Sequence, residues 1–290
     1  MQERVPSSLQ SWLLAIRPKT LPAAVGPVLV GSGVALGDGR FSLLPAFACL
    51  LGAMLLQIGV NLANDYFDYK NNIDSEERLG PIRVTQSGLI APSVVKMGMI
   101  ISLALAALVF FYLAVVGGPV IAVIGIASVL AALGYSGGPF PLASNGLGEI
   151  FVFIFFGLVA VGGTYFVQAG QLTWLAMAAA LPPGLLITAI MVVNNLRDID
   201  TDRKAGKRSL AVILGRSRTI TGYKLLLLFS YLVPGIIYIG GQCSAVVLLP
   251  LFTLPMAMRQ AKRITSEVGR SLNELLAATA RLSLVHSLLF

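Results

Sequence analysis

The sequence predicts an all-α fold, a polytopic membrane bundle of about nine transmembrane helices. Three observations carry the prediction. Hydrophobic residues fill 56% of the chain and charged residues only 12%, whereas soluble domains carry about 25% charged residues. Apolar runs of near-spanning length recur from end to end. All but Arg40 and Arg281 of the 21 basic residues lie in the N-terminal segment and in residues 65–96, 197–224 and 259–270.

The apolar runs fall at residues 20–36, 43–64, 94–115, 119–135, 146–167, 172–195, 219–240, 243–258 and 273–290, each close to the roughly 20 residues that cross a bilayer. Before the first, Met1 to Lys19 is polar and amphipathic and ends in Arg17-Pro18-Lys19. That is unlike a cleaved signal peptide, so the first helix itself targets the chain. The sixth run contains Pro182-Pro183 and the eighth includes Leu249-Pro250, tolerable where neighbouring helices re-satisfy the freed backbone groups. A compact bundle follows. The loops at 116–118, 168–172 and 241–244 hold no basic residue, so excess positive charge alternates with its absence. This places the N-terminus in the cytoplasm and the C-terminus outside, in a cell membrane. The net charge of +8 reflects that asymmetry and attraction to anionic lipid headgroups; it is no sign of nucleic-acid binding. Cys49 and Cys243 sit in or beside apolar runs and read as small core residues.

A repeat is visible. Val60-Asn61-Leu62-Ala63-Asn64-Asp65-Tyr66-Phe67-Asp68 closes the second helix, and Val193-Asn194-Asn195-Leu196-Arg197-Asp198-Ile199-Asp200 closes the sixth. Residues 1–290 therefore read as one membrane-embedded domain of two four-helix halves, about 20–135 and 146–258, with a ninth helix added.

The acids are concentrated where this repeat places them. All but five of the 13 acidic residues fall in two clusters, Asp65, Asp68, Asp74, Glu76 and Glu77, then Asp198, Asp200 and Asp202. Asp65 and Asp68 are three apart and Asp198 and Asp202 four apart, so each pair lies on one helix face, with Asn61, Asn64 and Asn194 continuing it. Carboxylates and amides without His or Cys suit a hard cation and argue against zinc. The pattern predicts Mg²⁺ on Asp65, Asp68, Asp74, Asp198, Asp202 and Asn64, with Mn²⁺ a substitute. Mg²⁺ keeps positions for phosphate oxygens, and Asn61, Arg78, Arg83, Asn194, Lys204 and Lys207 crowd the same rim as diphosphate-binding candidates. Arg208 flanks them.

These residues resemble a family. Asn64-Asp65-x-x-Asp68 with Asp198-x-x-x-Asp202 is similar to the two aspartate-rich motifs of the UbiA superfamily of intramembrane prenyltransferases. That superfamily's third first-motif aspartate falls at Asn72 in this chain; the next acid is Asp74, followed by Arg78-Leu79-Gly80-Pro81-Ile82-Arg83 and Gln86-Ser87-Gly88. The departure resembles the branch that prenylates 1,4-dihydroxy-2-naphthoate. Arg17-Pro18-Lys19-Thr20-Leu21-Pro22, Tyr135-Ser136-Gly137-Gly138-Pro139, Gly146-Leu147-Gly148-Glu149 and Gly206-Lys207-Arg208-Ser209-Leu210 agree with it.

The resemblance implies transfer of a polyprenyl group from its diphosphate to dihydroxynaphthoate with loss of diphosphate and CO₂, giving demethylmenaquinone. The catalytic residues it implies are Asp65, Asp68, Asp198 and Asp202. An acceptor that carries a carboxylate and hydroxyls needs a cation and polar contacts, and Arg83, Gln86, Tyr135 and Glu149 are the candidates; Glu149 reads equally as an interfacial residue. Phe151, Phe153, Phe155 and Phe156 suit an isoprenoid tail or plain lipid-facing packing. Arg281, about 15 Å into the ninth helix, is an ion-pair candidate because an unpaired charge at that depth is costly. His286 reads as packing. Sister prenyltransferases acting on 4-hydroxybenzoate, haem, homogentisate or chlorophyllide share the donor chemistry. A secondary transporter would carry its acids near the bilayer midplane, whereas these gather at one face.

Overall fold

The computed structural model describes residues 6–71, 79–241 and 243–290, and among them it is helical without a strand. Asp74, Glu76, Glu77 and Arg78 lie outside the described residues.

A short helix α1 (Ser8–Ile16) starts on a capping box between Ser7 and Gln10 and ends at Arg17, whose backbone is left-handed with φ 56°. A 3₁₀ turn at Pro18–Thr20 leads into α2 (Pro22–Gly37), bent by 44° from the preceding helix. Then come α3 (Leu43–Lys70), α4 (Pro92–Gly117) and α5 (Pro119–Ser136). Proline opens α2, α4 and α5, where its missing N–H is no loss. The second half holds α6 (Gly148–Ala169), α7 (Trp174–Arg197), a short α8 (Ile199–Lys204) and α9 (Leu210–Ile239). It ends with a 3₁₀ stretch at Ala245–Thr253 that runs into α10 (Leu254–Ser266), and with α11 (Leu272–Leu289).

Every predicted apolar run is thus helical. Six helices are long and apolar enough to span a membrane, seven if the bent pair at the N-terminus counts as one. The nine expected spans are not reached on that criterion for a physical reason. The eighth is 3₁₀ over Ala245–Thr253 and its remainder belongs to a helix that continues past residue 258 with Arg259, Lys262 and Arg263, and the ninth contains Glu274 and Arg281.

Two features position the site. At 28 residues, α3 is about 42 Å long, more than the roughly 30 Å hydrocarbon core, long enough for its last turns, with Asp65 and Asp68, to extend beyond that core. Helix α7 is central: 72% of its apolar window is buried, against 28–33% for the other five. It packs against α6, α9 and α11 and delivers Asn194 and Asp198 beneath α3. Where α6 crosses α7, residues Phe153–Val159 form a π-helix, and Gly157 meets Gly184 so closely that a Cβ on either would lie 2.9 Å from the other's Cα.

One core joins α7, α9, α10 and α11 through Leu196, Tyr223, Ile264, Leu272 and Leu275; another joins α3 and α4 through Leu62, Val95, Met99 and Leu103. Phe111, Ile126 and Phe252 stand exposed on the outer faces, as lipid contact requires. His286 is buried edge-on to Tyr231 and stacked with Phe290, a packing role. The ion pair anticipated for Arg281 is not formed among the described residues. Its side chain is exposed, and a long arginine stem can lie along apolar surface while its charge reaches toward the headgroups.

Candidate active site

The C-terminal ends of α3 and α7 face each other across a polar pocket. Asn64 and Asp68 come from α3, Arg83 from the segment returning to α4, Tyr135 and Ser136 from α5, Asn194 and Asn195 from α7, and Asp198, Thr201, Asp202 and Lys207 from α8 and its flanks. The two acid clusters, far apart in sequence, therefore meet. Lys207 joins them, its Nζ lying 3.7 Å from Asp68 Oδ1 and 4.0 Å from Asp202 Oδ1. Arg83 Nη2 pairs with Asp68 Oδ2 at 2.5 Å, both side chains nearly dry.

Asp198 is gripped in a fork. Arg197 donates from Nε to its Oδ1 at 2.8 Å and from Nη2 to its Oδ2 at 2.6 Å, and Nη2 also reaches Asn194 Oδ1 at 2.9 Å. Asp202 stands in a different field. Burial raises its carboxyl above the ordinary value, Lys207 opposes the rise, and Asp198 and Asp68 add to it. Another cation in the pocket would favour its ionised form.

Asp65 does not line the pocket. Its carboxylate turns to the returning segment and accepts from the backbone N–H groups of Val84 at 3.1 Å and Thr85 at 3.0 Å, so it supports the site from behind. Asn61 likewise ties α3 to the N-terminal turn, donating to Ile16 O at 2.8 Å and Thr20 Oγ1 at 2.9 Å. Asn64 accepts from Ser136. Glu149 is buried and accepts from Asn195 Nδ2 at 2.7 Å, one step behind the pocket wall. Lys204 and Gln86 are exposed and line neither this pocket nor the cavity beyond it.

That cavity is apolar and larger, about 320 Å³, and shares Asn64, Arg83, Tyr135, Met191 and Asn194 with the polar pocket. It runs between the helices past Phe110, Phe151, Phe155 and Phe156 to Leu113, Ile121 and Val167 near the opposite end of the bundle. From Asn64 to Cys49, both on its wall, α3 rises about 22 Å. Arg17, Lys19, Thr20 and Gln57 stand at its polar end. Residue types alone had not marked these for a site role; the proline turn that brings Arg17 and Lys19 inward is tertiary.

Among the described residues no group of three or more His, Cys, Asp or Glu side chains forms an all-protein metal cage. The donor set still fits Mg²⁺, which takes one or two carboxylates and fills its remaining positions with water and phosphate. Asp68, Asp198 and Asp202 with the amides of Asn64 and Asn194 are hard oxygens at one pocket.

A model of the UbiA prenyltransferase family matches residues 24–283. The chain belongs to the UbiA prenyltransferase family. It is 38% identical, over 97% of its length and 96% of the relative's, to the 1,4-dihydroxy-2-naphthoate octaprenyltransferase of Mycobacterium tuberculosis. The Escherichia coli protein of the same name is 35% identical over 100% of this chain and 96% of its own. Among solved structures, a UbiA homolog from Archaeoglobus fulgidus bound to GPP and Mg²⁺ superposes with a TM-score of 0.68 at 16% identity, covering 96% of this chain and 97% of that one. The UbiA membrane fold is thereby shown for this chain.

Proposed function

We propose that this UbiA-family enzyme transfers a polyprenyl group from polyprenyl diphosphate to 1,4-dihydroxy-2-naphthoate, releasing diphosphate and CO₂ and giving the reduced, quinol form of demethylmenaquinone for menaquinone biosynthesis. The observation that carries the reading is the continuity of the two cavities. A pocket of carboxylates and bases that suits a diphosphate opens through five shared residues into an apolar cavity of about 320 Å³ that suits an isoprenoid. Near full-length similarity to dihydroxynaphthoate octaprenyltransferases supports the acceptor.

In this reading Asp68, Asp198 and Asp202, with Asn64 and Asn194, hold Mg²⁺, which supplies neutralisation of the departing diphosphate. Lys207 and Arg83 stand beside the same oxygens, and Arg197 keeps Asp198 aimed. As the allylic C–O bond breaks, its electron pair leaves with the diphosphate. The apolar walls at Phe151 and Phe155 exclude water from the allylic carbon. The aromatic ring supplies the pair for the new C–C bond, and CO₂ departs leaving its bonding pair with the ring. Arg83, on both cavities, is placed to hold the acceptor carboxylate with Tyr135 beside it. Asp65, Asn61 and Glu149 shape the site from behind. The single domain of two repeated halves belongs to the same proposal, each half bringing an Asn and an Asp to one pocket. So does the orientation, with the pocket and N-terminus cytoplasmic and the C-terminus outside.

The test is turnover by purified protein with one radiolabelled prenyl diphosphate and a panel of aromatic acceptors. Dihydroxynaphthoate should be prenylated with release of CO₂. Chelator should abolish the activity, and Mg²⁺ or Mn²⁺ should restore it. Preference for 4-hydroxybenzoate would overturn the acceptor assignment, and full activity in excess chelator would sink the metal site.

A further inference from the structure

The segment that returns to α4, residues 79–91, lends Arg83 to the wall of the polar pocket and forms a strap tied to both halves of the bundle. On the first half, Val84 and Thr85 donate to Asp65 and Arg83 pairs with Asp68. On the second half, Leu79 O accepts from Asn273 Nδ2 at 2.9 Å, a contact spanning 194 residues. Asn273 sits in the first turn of α11 and also accepts, through Oδ1, from Arg197 Nη1 at 2.8 Å. Arg197, 3% exposed, is the same guanidinium that forks Asp198. Gly80 passes directly over it: a Cβ on Gly80 would lie 2.7 Å from Arg197 Nη2.

We infer that Asn273 is a positioning residue for the transfer reaction. Its amide clamps strap and guanidinium at once, so it seats Arg83 over the pocket and sets the aim of Asp198. The amide offers the acceptor for Arg197 and the donor for Leu79 from separate atoms of one short side chain. Aspartate keeps the first and loses the second; alanine loses both. The glycine at 80 is required for the close approach and gives an independent way to break the same contact. This inference rests on the prenyl-transfer reading for its catalytic consequence, and one arm of the test needs no turnover.

That arm is limited trypsin digestion of the purified protein in nanodiscs, following cleavage after Arg83 by mass spectrometry. Asn273→Ala, Asn273→Asp and Gly80→Ala should each speed that cleavage by roughly tenfold, as loss of one buried hydrogen bond opens the strap more often. In the kinetic arm, Asn273→Ala should lower kcat/KM for the acceptor by roughly tenfold in the wild-type background and by clearly less in an Arg83→Ala background, where the share that acts through the seating of Arg83 is already lost and only the share that acts through Asp198 remains. Wild-type cleavage rates in all three variants, or additive kinetic losses, would overturn the role of Asn273. Absence of prenyl transfer by the wild-type protein would overturn the proposed function while the cleavage arm still reported on the clamp.

Discussion

Asp65 and Asp68 lie one helical turn apart on α3, yet their carboxylates do different work: one receives two backbone N–H groups and the other faces Lys207 and Arg83 across the pocket. Replacing Asp65 by alanine leaves the Val84 and Thr85 N–H groups without their acceptor and should lower stability by about 1–3 kcal/mol, read as a drop in Tm. Asp68→Ala should instead abolish turnover in protein that still inserts. A normal rate for Asp68→Ala would remove the first cluster from the site. Arg83→Ala should raise KM for dihydroxynaphthoate more than for the prenyl diphosphate, at a cost of about 1.5–3 kcal/mol for a charged hydrogen bond. Gln86→Ala should leave both constants near wild type, since Gln86 is exposed and borders neither cavity. Equal shifts for both substrates in Arg83→Ala would place that side chain on the diphosphate.

At the scale of elements, the π-helical stretch Phe153–Val159 is what turns the aromatic side of α6 inward. Its i→i+5 ladder brings residues five apart toward one face, so Phe151, Phe155 and Phe156 all border the apolar cavity. Phe151 and Phe155 are stacked with centroids 6.0 Å apart. The wall is held by the approach of Gly157 to Gly184, and small residues are what let two membrane helices come that close. Gly184→Ala would put a methyl 2.9 Å from Gly157 Cα and 3.1 Å from Phe153 Cδ2. Such overpacking should cost about 1–3 kcal/mol and raise KM for the prenyl diphosphate with little change for the acceptor. An unchanged donor KM in a properly inserted variant would show that the wall is indifferent to this crossing.

Across the whole molecule, the distribution of charge sets orientation. With all but Arg40 and Arg281 of the 21 bases in the N-terminal segment and in residues 65–96, 197–224 and 259–270, the segments expected on the inner side, a reporter fused after Phe290 should read external and one inserted at 203–208 cytoplasmic. A cytoplasmic C-terminus would mean that one helix fails to cross, and residues 245–266 are the place to look, because their 3₁₀ half and cationic half together lack a continuous apolar span.

Composition, spacing and charge by themselves determined the membrane class, the helical stretches, the two acid clusters and the hard-oxygen chemistry, because apolar length and the 3.6-residue period are local properties that need no partner. They also marked Asn64, Asp68, Arg83, Asn194, Asp198, Asp202 and Lys207, which the fold gathers at one pocket. Tertiary structure decided the rest. Asp65 and Asp68 share a helix face, so no periodicity separates them; the path of the returning segment made one a support and the other a pocket wall. Gln86 follows Arg83 closely in sequence but faces solvent, and Arg17, Lys19 and Asn273 reach the site only through a proline turn and a helix start remote in the chain. Contacts of that kind depend on the close packing of distant elements, which local pattern does not encode.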